Sequence, residues 1–131
     1  MQLATPIDIE DALRIDLGAI LSDYRFFAPP LPPDLRAGDV VIERVGGARA
    51  TGVSYEQDVT VGTYADSDAD AVSFSNEVYS ALASLPVRET QTQYSAASAS
   101  LPYADFDPRT QTLCRQSFRA TLITPGVKIE L

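Results

Sequence analysis

The stretch from Asp39 to Leu82 constrains this chain more than any other part, because its hydrophobic period changes once, from two residues to nearly four. Val53, Tyr55, Val59 and Val61 alternate with Ser54, Glu56, Asp58 and Thr60 across 53–64, the mark of a strand with one dry face and one wet face. Val40–Val45 reads as a second strand. Between them Gly46-Gly47-Ala48-Arg49-Ala50-Thr51-Gly52 forms a hairpin connection with a longer or bulged loop. After Asp66-Ser67-Asp68-Ala69-Asp70 the period becomes helical. Ala71, Ser75, Val78, Leu82 and Leu85 share one stripe, and Pro86 helps to end it. A sheet with one apolar face needs a layer to cover that face, and a helix with one narrow apolar stripe supplies it.

The rest of the chain fits around this unit. Thr5-Pro6-Ile7-Asp8 offers an N-cap, a proline suited to the first helical position and an acid at the positive end of the helix dipole. Ile9, Leu13, Leu17, Ile20, Leu21 and Tyr24 follow at helical spacing, which predicts a helix over about 6–24. Pro29, Pro30, Pro32 and Pro33 make 26–33 an extended connector. Phe26, Phe27 and Leu31 in it are open to two roles, packing inside the monomer or contact between subunits. Gln91–Ser98 is a polar, small-residue strand suited to a sheet edge or a subunit contact. Leu101–Thr112 is a long loop carrying Tyr103 and Phe106. Leu113–Thr124 is the last strand, with Cys114, Phe118, Ala120 and Leu122 on one face and Arg115, Ser117, Arg119 and Thr121 on the other. Pro125-Gly126 ends it, leaving a short tail to Leu131. The expectation is one domain over 1–131 of the α+β class, a single layer of mainly antiparallel β-sheet with two α-helices packed on one face.

Composition removes most chemistry. The 131 residues include no histidine and one cysteine, Cys114, so the commonest general base and metal ligand are absent and no intrachain disulfide forms. The net charge of −8 opposes phosphate-driven binding of nucleic acid. No apolar run approaches the roughly 20 residues of a membrane helix. Asp8, Glu10 and Asp11 stand where a secretory signal has basic and apolar blocks, so folding in the cytoplasm is expected. Asp66, Asp68, Asp70 and Glu77 match positions 1, 3, 5 and 12 of a calcium loop, yet position 6 is Ala71 rather than glycine and the helical stripe runs through the pattern. The better reading is that Asp66 or Ser67 caps a helix whose dipole Asp68 and Asp70 favour. Asp105 and Asp107, flanked by proline and aromatics, read as turn formers. Arg115 and Arg119 share a strand face and fit a solvated surface or ion pairs between subunits. With no nucleophile and base to pair, the chain is not expected to be an enzyme, and no cofactor is expected.

Three segments carry a family resemblance. Asp39-Val40-Val41-Ile42-Glu43-Arg44-Val45-Gly46-Gly47, then Asp58-Val59-Thr60-Val61-Gly62-Thr63-Tyr64-Ala65 with its following helix, and Ser100-Leu101-Pro102-Tyr103-Ala104-Asp105-Phe106-Asp107-Pro108-Arg109 together resemble the tail terminator or tail completion proteins of long-tailed bacteriophages. The resemblance covers most of the chain and rests on apolar and turn patterns. It implies a structural subunit of the virion, made and assembled in the host cytoplasm, that forms a homohexameric ring at the head-proximal end of the tail tube, stops its growth and prepares it to join the head. Its partners would be copies of itself, the tail-tube protein and a head-closure or neck protein, with DNA passing through unbound and no membrane involved. Closing a ring takes a head-to-tail interface of two different surfaces. Phe26, Phe27, Leu31, Tyr103, Phe106, Arg109, Arg115 and Arg119 are the candidate contact residues. A head-closure or other neck subunit is the alternative of the same kind, and a small calcium-binding module the alternative of a different kind.

Overall fold

The computed structural model describes residues 2–110 and 112–130, so Gln111 of the expected loop and Leu131 of the expected tail lie outside the described residues. The elements run β1 (Gln2–Pro6), α1 (Ile9–Ile20), β2 (Arg25–Phe27), β3 (Asp39–Arg49), β4 (Ser54–Ala65), α2 (Asp68–Ala83), a 3-10 turn (Leu85–Val87), β5 (Ala96–Ala99), β6 (Tyr103–Ala104) and β7 (Cys114–Glu130). The sheet order is β1-β7-β4-β3-β2, with β5 and β6 also paired to β7. The α+β class stands, but the sheet is mixed and curls into a half-barrel instead of lying as a single antiparallel layer. β2 pairs with β3 in parallel, while the remaining pairings are antiparallel. Long strands coil because each carries a right-handed twist, and the bulge between Arg44 and Gly46 adds to it.

Both helices cover the same face of this sheet. Ile9, Leu13 and Leu17 of α1 and Phe74, Val78, Ala81 and Leu82 of α2 pack with Val40, Ile42, Val59, Val61, Phe118, Ala120 and Leu122. Register explains the sheet's share, since Val61 lies opposite Ile42 on one side and Phe118 on the other, and Val59 lies opposite Ala120. Tyr24 meets Phe74 at a tilt of 46° with ring centres 4.4 Å apart, and Tyr79 meets Phe118 edge-on at 5.9 Å. Ser67 caps α2 by accepting from the Asp70 amide at 3.2 Å.

Several local expectations are corrected. Thr5-Pro6 does not start α1: residues 2–6 form β1, and Asp8 caps the helix by accepting from the Asp11 amide. α1 also stops at Ile20, short of Tyr24. Pro125-Gly126 does not end the last strand, because β7 exchanges its partner there. Pro125 faces Ser54, where β4 begins, and Gly126 faces Pro6, where β1 ends. Gly46-Gly47 does not turn the chain. β3 runs on to Arg49 with both glycines at positive φ, and a side chain at Gly47 would run into the Glu56 carbonyl oxygen. Phe26-Phe27 belongs to β2, beside Val40 and Val41, so this end of the extended segment takes the first of its two expected roles and packs inside the monomer. The strand expected over Gln91–Ser98 is reduced to Ala96–Ala99, because Gln91, Thr92 and Tyr94 turn inward to bond Asp16.

Candidate interaction surface

The loop that carries Tyr103 and Phe106 is held on the side of the sheet away from the helices by a cluster of ions and hydroxyls. β6 pins its first part, with Tyr103 opposite Ser117, and the Asp105 amide donates to the Arg115 carbonyl at 3.0 Å. Ser117 donates to the Asp105 carboxylate at 2.8 Å, and the Arg115 guanidinium lies 3.5 Å from the same oxygen. Asp107 is the centre. Its carboxylate accepts from the Tyr64 hydroxyl at 2.9 Å, from the Arg109 amide at 3.0 Å and from the Arg109 guanidinium at 3.0 and 3.1 Å, with Arg115 3.6 Å away. Arg115 lies across Gly62, where a Cβ would come within 2.8 Å of its terminal nitrogen, so the missing side chain leaves room for the guanidinium. Phe106, between the two anchored aspartates, is 74% exposed, and Leu101 equally so.

This cluster holds rather than reacts. Hydrogen bonds from Arg109 keep the Asp107 carboxyl well below the usual carboxylate range against the opposing effect of burial. Burial, partly offset by Arg115, pushes the Tyr64 hydroxyl up to about 12. Neither group changes protonation near neutral pH, where a general acid or base must work. Asp107 ionises more readily in the folded chain than in the unfolded one. Its contribution to stability is therefore complete above the unfolded pKa of about 3.9 and is lost as the pH falls from there toward the depressed folded value. Thermal melts from pH 6 to pH 2 are expected to fall more steeply below about pH 4 for the natural chain than for Asp107→Asn. Parallel curves would remove Asp107 as the source.

The structure separates the expected contact residues into groups. Tyr103 and Phe106 are exposed on the anchored loop, and Arg119 is exposed on β7. Leu31 and Arg109 line one shared cleft with Leu35 and Leu113. Phe26 is a core residue, and Phe27 is half-buried under the Arg25 guanidinium at 4.9 Å. Arg115 has a 16% exposed side chain and is engaged within its own chain, not presented as a free cation. Of the calcium pattern, Asp68 and Asp70 occupy the first turn of α2, while Glu77 stands nine residues beyond Asp68, roughly 14 Å along the axis, and accepts from the Tyr24 hydroxyl. Among the described residues no group of three or more His, Cys, Asp or Glu is placed to hold a metal ion. Cys114 is half-buried, and its hydrogen bond with Asp68 pushes the thiol pKa up, away from reactivity.

Sequence reasoning missed two features. One is buried Asp16, which ties α1 to the segment after the 3-10 turn. The other is the two-stranded arm where β1 pairs with the end of β7, leaving Leu3, Val127 and Ile129 exposed. The alternation of Val127 and Ile129 around Lys128 is the signal that could have found it.

An α+β fold of a curled sheet, two helices on one face and an anchored aromatic loop on the other defines the class. No protein-family model matches the chain, and no curated protein matches it in sequence. Among solved structures, a chain from the virion of a native gene transfer agent particle has this fold. The TM-score is 0.57 over 90% of this chain and 92% of that one, at 16% identity. Among the described residues no helix is long and apolar enough to cross a membrane.

Proposed function

We propose that this chain is a structural virion protein, a tail terminator or tail completion subunit. In this reading it forms a homohexameric ring at the head-proximal end of the tail tube, ends tube growth and enables head–tail joining. The observation that carries the reading is a fold shared, over nine-tenths of both chains, with a component of a gene transfer agent virion. The lack of histidine and a polar cluster that holds one protonation state near neutrality agree with an assembly role. The tube and the head-closure protein are the outer partners, and DNA passes through.

Electron microscopy of the protein with its tail-tube subunit tests this. Six-fold rings capping tube ends are the expected result; rings seen on portals or capsids alone would assign the chain to the neck, and bare tube ends without rings on any component would end the virion-ring reading. Phe106→Ala is expected to weaken capping by about 2 kcal/mol, roughly thirtyfold, with an unchanged monomer melting temperature, since the ring it removes is mostly in solvent. A monomer that unfolds instead would show that Phe106 serves the fold.

A further inference from the structure

The charge of this molecule is divided by layer. Segments 8–23 and 66–77, which hold α1 and most of α2, contain nine carboxylates and one guanidinium, Arg14; that difference is the entire net charge of −8. The other residues balance, nine acidic against nine basic. The helix side therefore repels another copy of itself, whereas the strand side carries no net charge to overcome.

Apart from Val45 on β3 and Val53 just before β4, the exposed apolar groups of the strands and the loop between β5 and β7 gather at the two ends of β7. At its start, β6 and the anchored loop present Leu101, Tyr103 and Phe106. At its other end, Leu3 pairs with Ile129, and Thr5 with Val127, so these four share one face of the arm. Alternation along β7 places Val127 and Ile129 on the same side as Arg119 and Thr121, away from the helices. Leu3, Val127 and Ile129 are 40%, 48% and 38% exposed. A two-stranded ribbon with an uncovered apolar face is marginal in water and gains from being covered. From Ser117 to Ile129 the strand spans roughly 40 Å, so one chain cannot cover its arm with its own loop.

We propose that copies of this chain associate head to tail through the ends of β7, the arm face of Leu3, Val127 and Ile129 seating on Leu101, Tyr103 and Phe106 of the next copy. The choice of a second copy as occupant rests on the virion-ring reading, and the uncharged strand side permits it where the helix side does not. Two different surfaces on one subunit are what a closing ring requires. The anchored loop has one well-held position from its ion cluster, which limits the ordering cost of the contact.

Cross-linking tests the contact without any tube or head. In a Cys114→Ser background, Thr5→Cys places a thiol on the arm face and Leu101→Cys one beside the loop aromatics. Circular dichroism melts confirm that both variants fold. With a short bismaleimide linker, mixing the two variants is expected to give a cross-linked dimer, the double variant a ladder of multimers, and each single variant alone little product. Ile129→Asp added to the arm variant should lower the mixed dimer at least tenfold. Dimers formed as readily by either single variant alone would indicate a symmetric contact and overturn the proposal. Absence of mixed dimer with both variants folded would overturn it too. Rings on tube ends seen in microscopy despite that result would leave the virion reading intact and locate the interface elsewhere.

Discussion

Phe118→Ala is expected to cost about 3–5 kcal/mol, which against a total of roughly 5–15 kcal/mol leaves a chain that is partly unfolded or close to it. Phe118 lies within β7, the strand that pairs with β1, β4, β5 and β6, and none of its surface reaches solvent. It faces Val61 in the ladder and Tyr79 on α2, so it joins the sheet to the helix layer. Truncation removes the transfer free energy of the ring and leaves a cavity between two layers whose strands cannot close up without breaking register. Urea unfolding followed by circular dichroism should show a large fall in the midpoint with little change in slope. A loss under about 1 kcal/mol would mean that the site repacks and that the core is looser than its geometry indicates.

Asp16→Ala is expected to cost about 3 kcal/mol, a large effect for a residue in the polar half of the alphabet. Asp16 is 3% exposed, and its carboxylate accepts from the Gln91 amide at 2.9 Å, the Thr92 amide at 3.3 Å and the Tyr94 hydroxyl at 2.8 Å. Burial, and next the bond to Asp16, pushes the Tyr94 hydroxyl well above the usual phenol range. With alanine in place, three donors lose their shared acceptor, and the segment leading into β5 loses its tie to α1. Asp16→Asn keeps one acceptor oxygen and should recover more than half of the loss. An Asp16→Ala chain within about 0.5 kcal/mol of the natural one would show that water or a shifted backbone replaces the carboxylate.

These two residues differ in how visible they are before folding. Phe118 falls on the apolar side of an alternating strand, and the two-residue period alone assigns it to the core. Asp16 sits within the first helical pattern, where an acid between Ile15 and Leu17 looks like any solvent-facing charge. Nothing near it in the chain announces partners 75 to 78 residues away. The same distinction separates the contact candidates. Tyr103 and Phe106 were found because proline and aspartate around them forbid a regular core element, which leaves large aromatics on a loop. Arg115 reads from the sequence as part of a solvated face or of ion pairs between subunits, and its bonds within its own chain are invisible there because its partners, Tyr64, Asp105 and Asp107, come from β4 and from the loop.

The prolines teach the same lesson from the other side. A proline withdraws one N–H, so from the sequence Pro6, Pro86 and Pro125 all read as element boundaries. Pro86 falls in the 3-10 turn that follows the end of α2 at Ala83, yet Pro6 and Pro125 both stand inside strands, at the point where β7 passes from β4 to β1. A missing donor is tolerated wherever a neighbouring strand begins or stops, and where that happens is a property of the assembled sheet.

By itself the sequence determined the periods: a strand and then a helix across 53–83, the apolar face of β7, and the exclusion of histidine- or disulfide-based chemistry. Those follow from spacing and composition, which act over a few residues. Tertiary structure alone decided the parallel pairing of β2, the curl of the sheet, the buried Asp16 tie, the ion cluster beneath Phe106 and the arm of β1 on β7. Each depends on which distant groups meet, and a hydrogen bond or ion pair carries no local signature of its partner until folding has brought the two together.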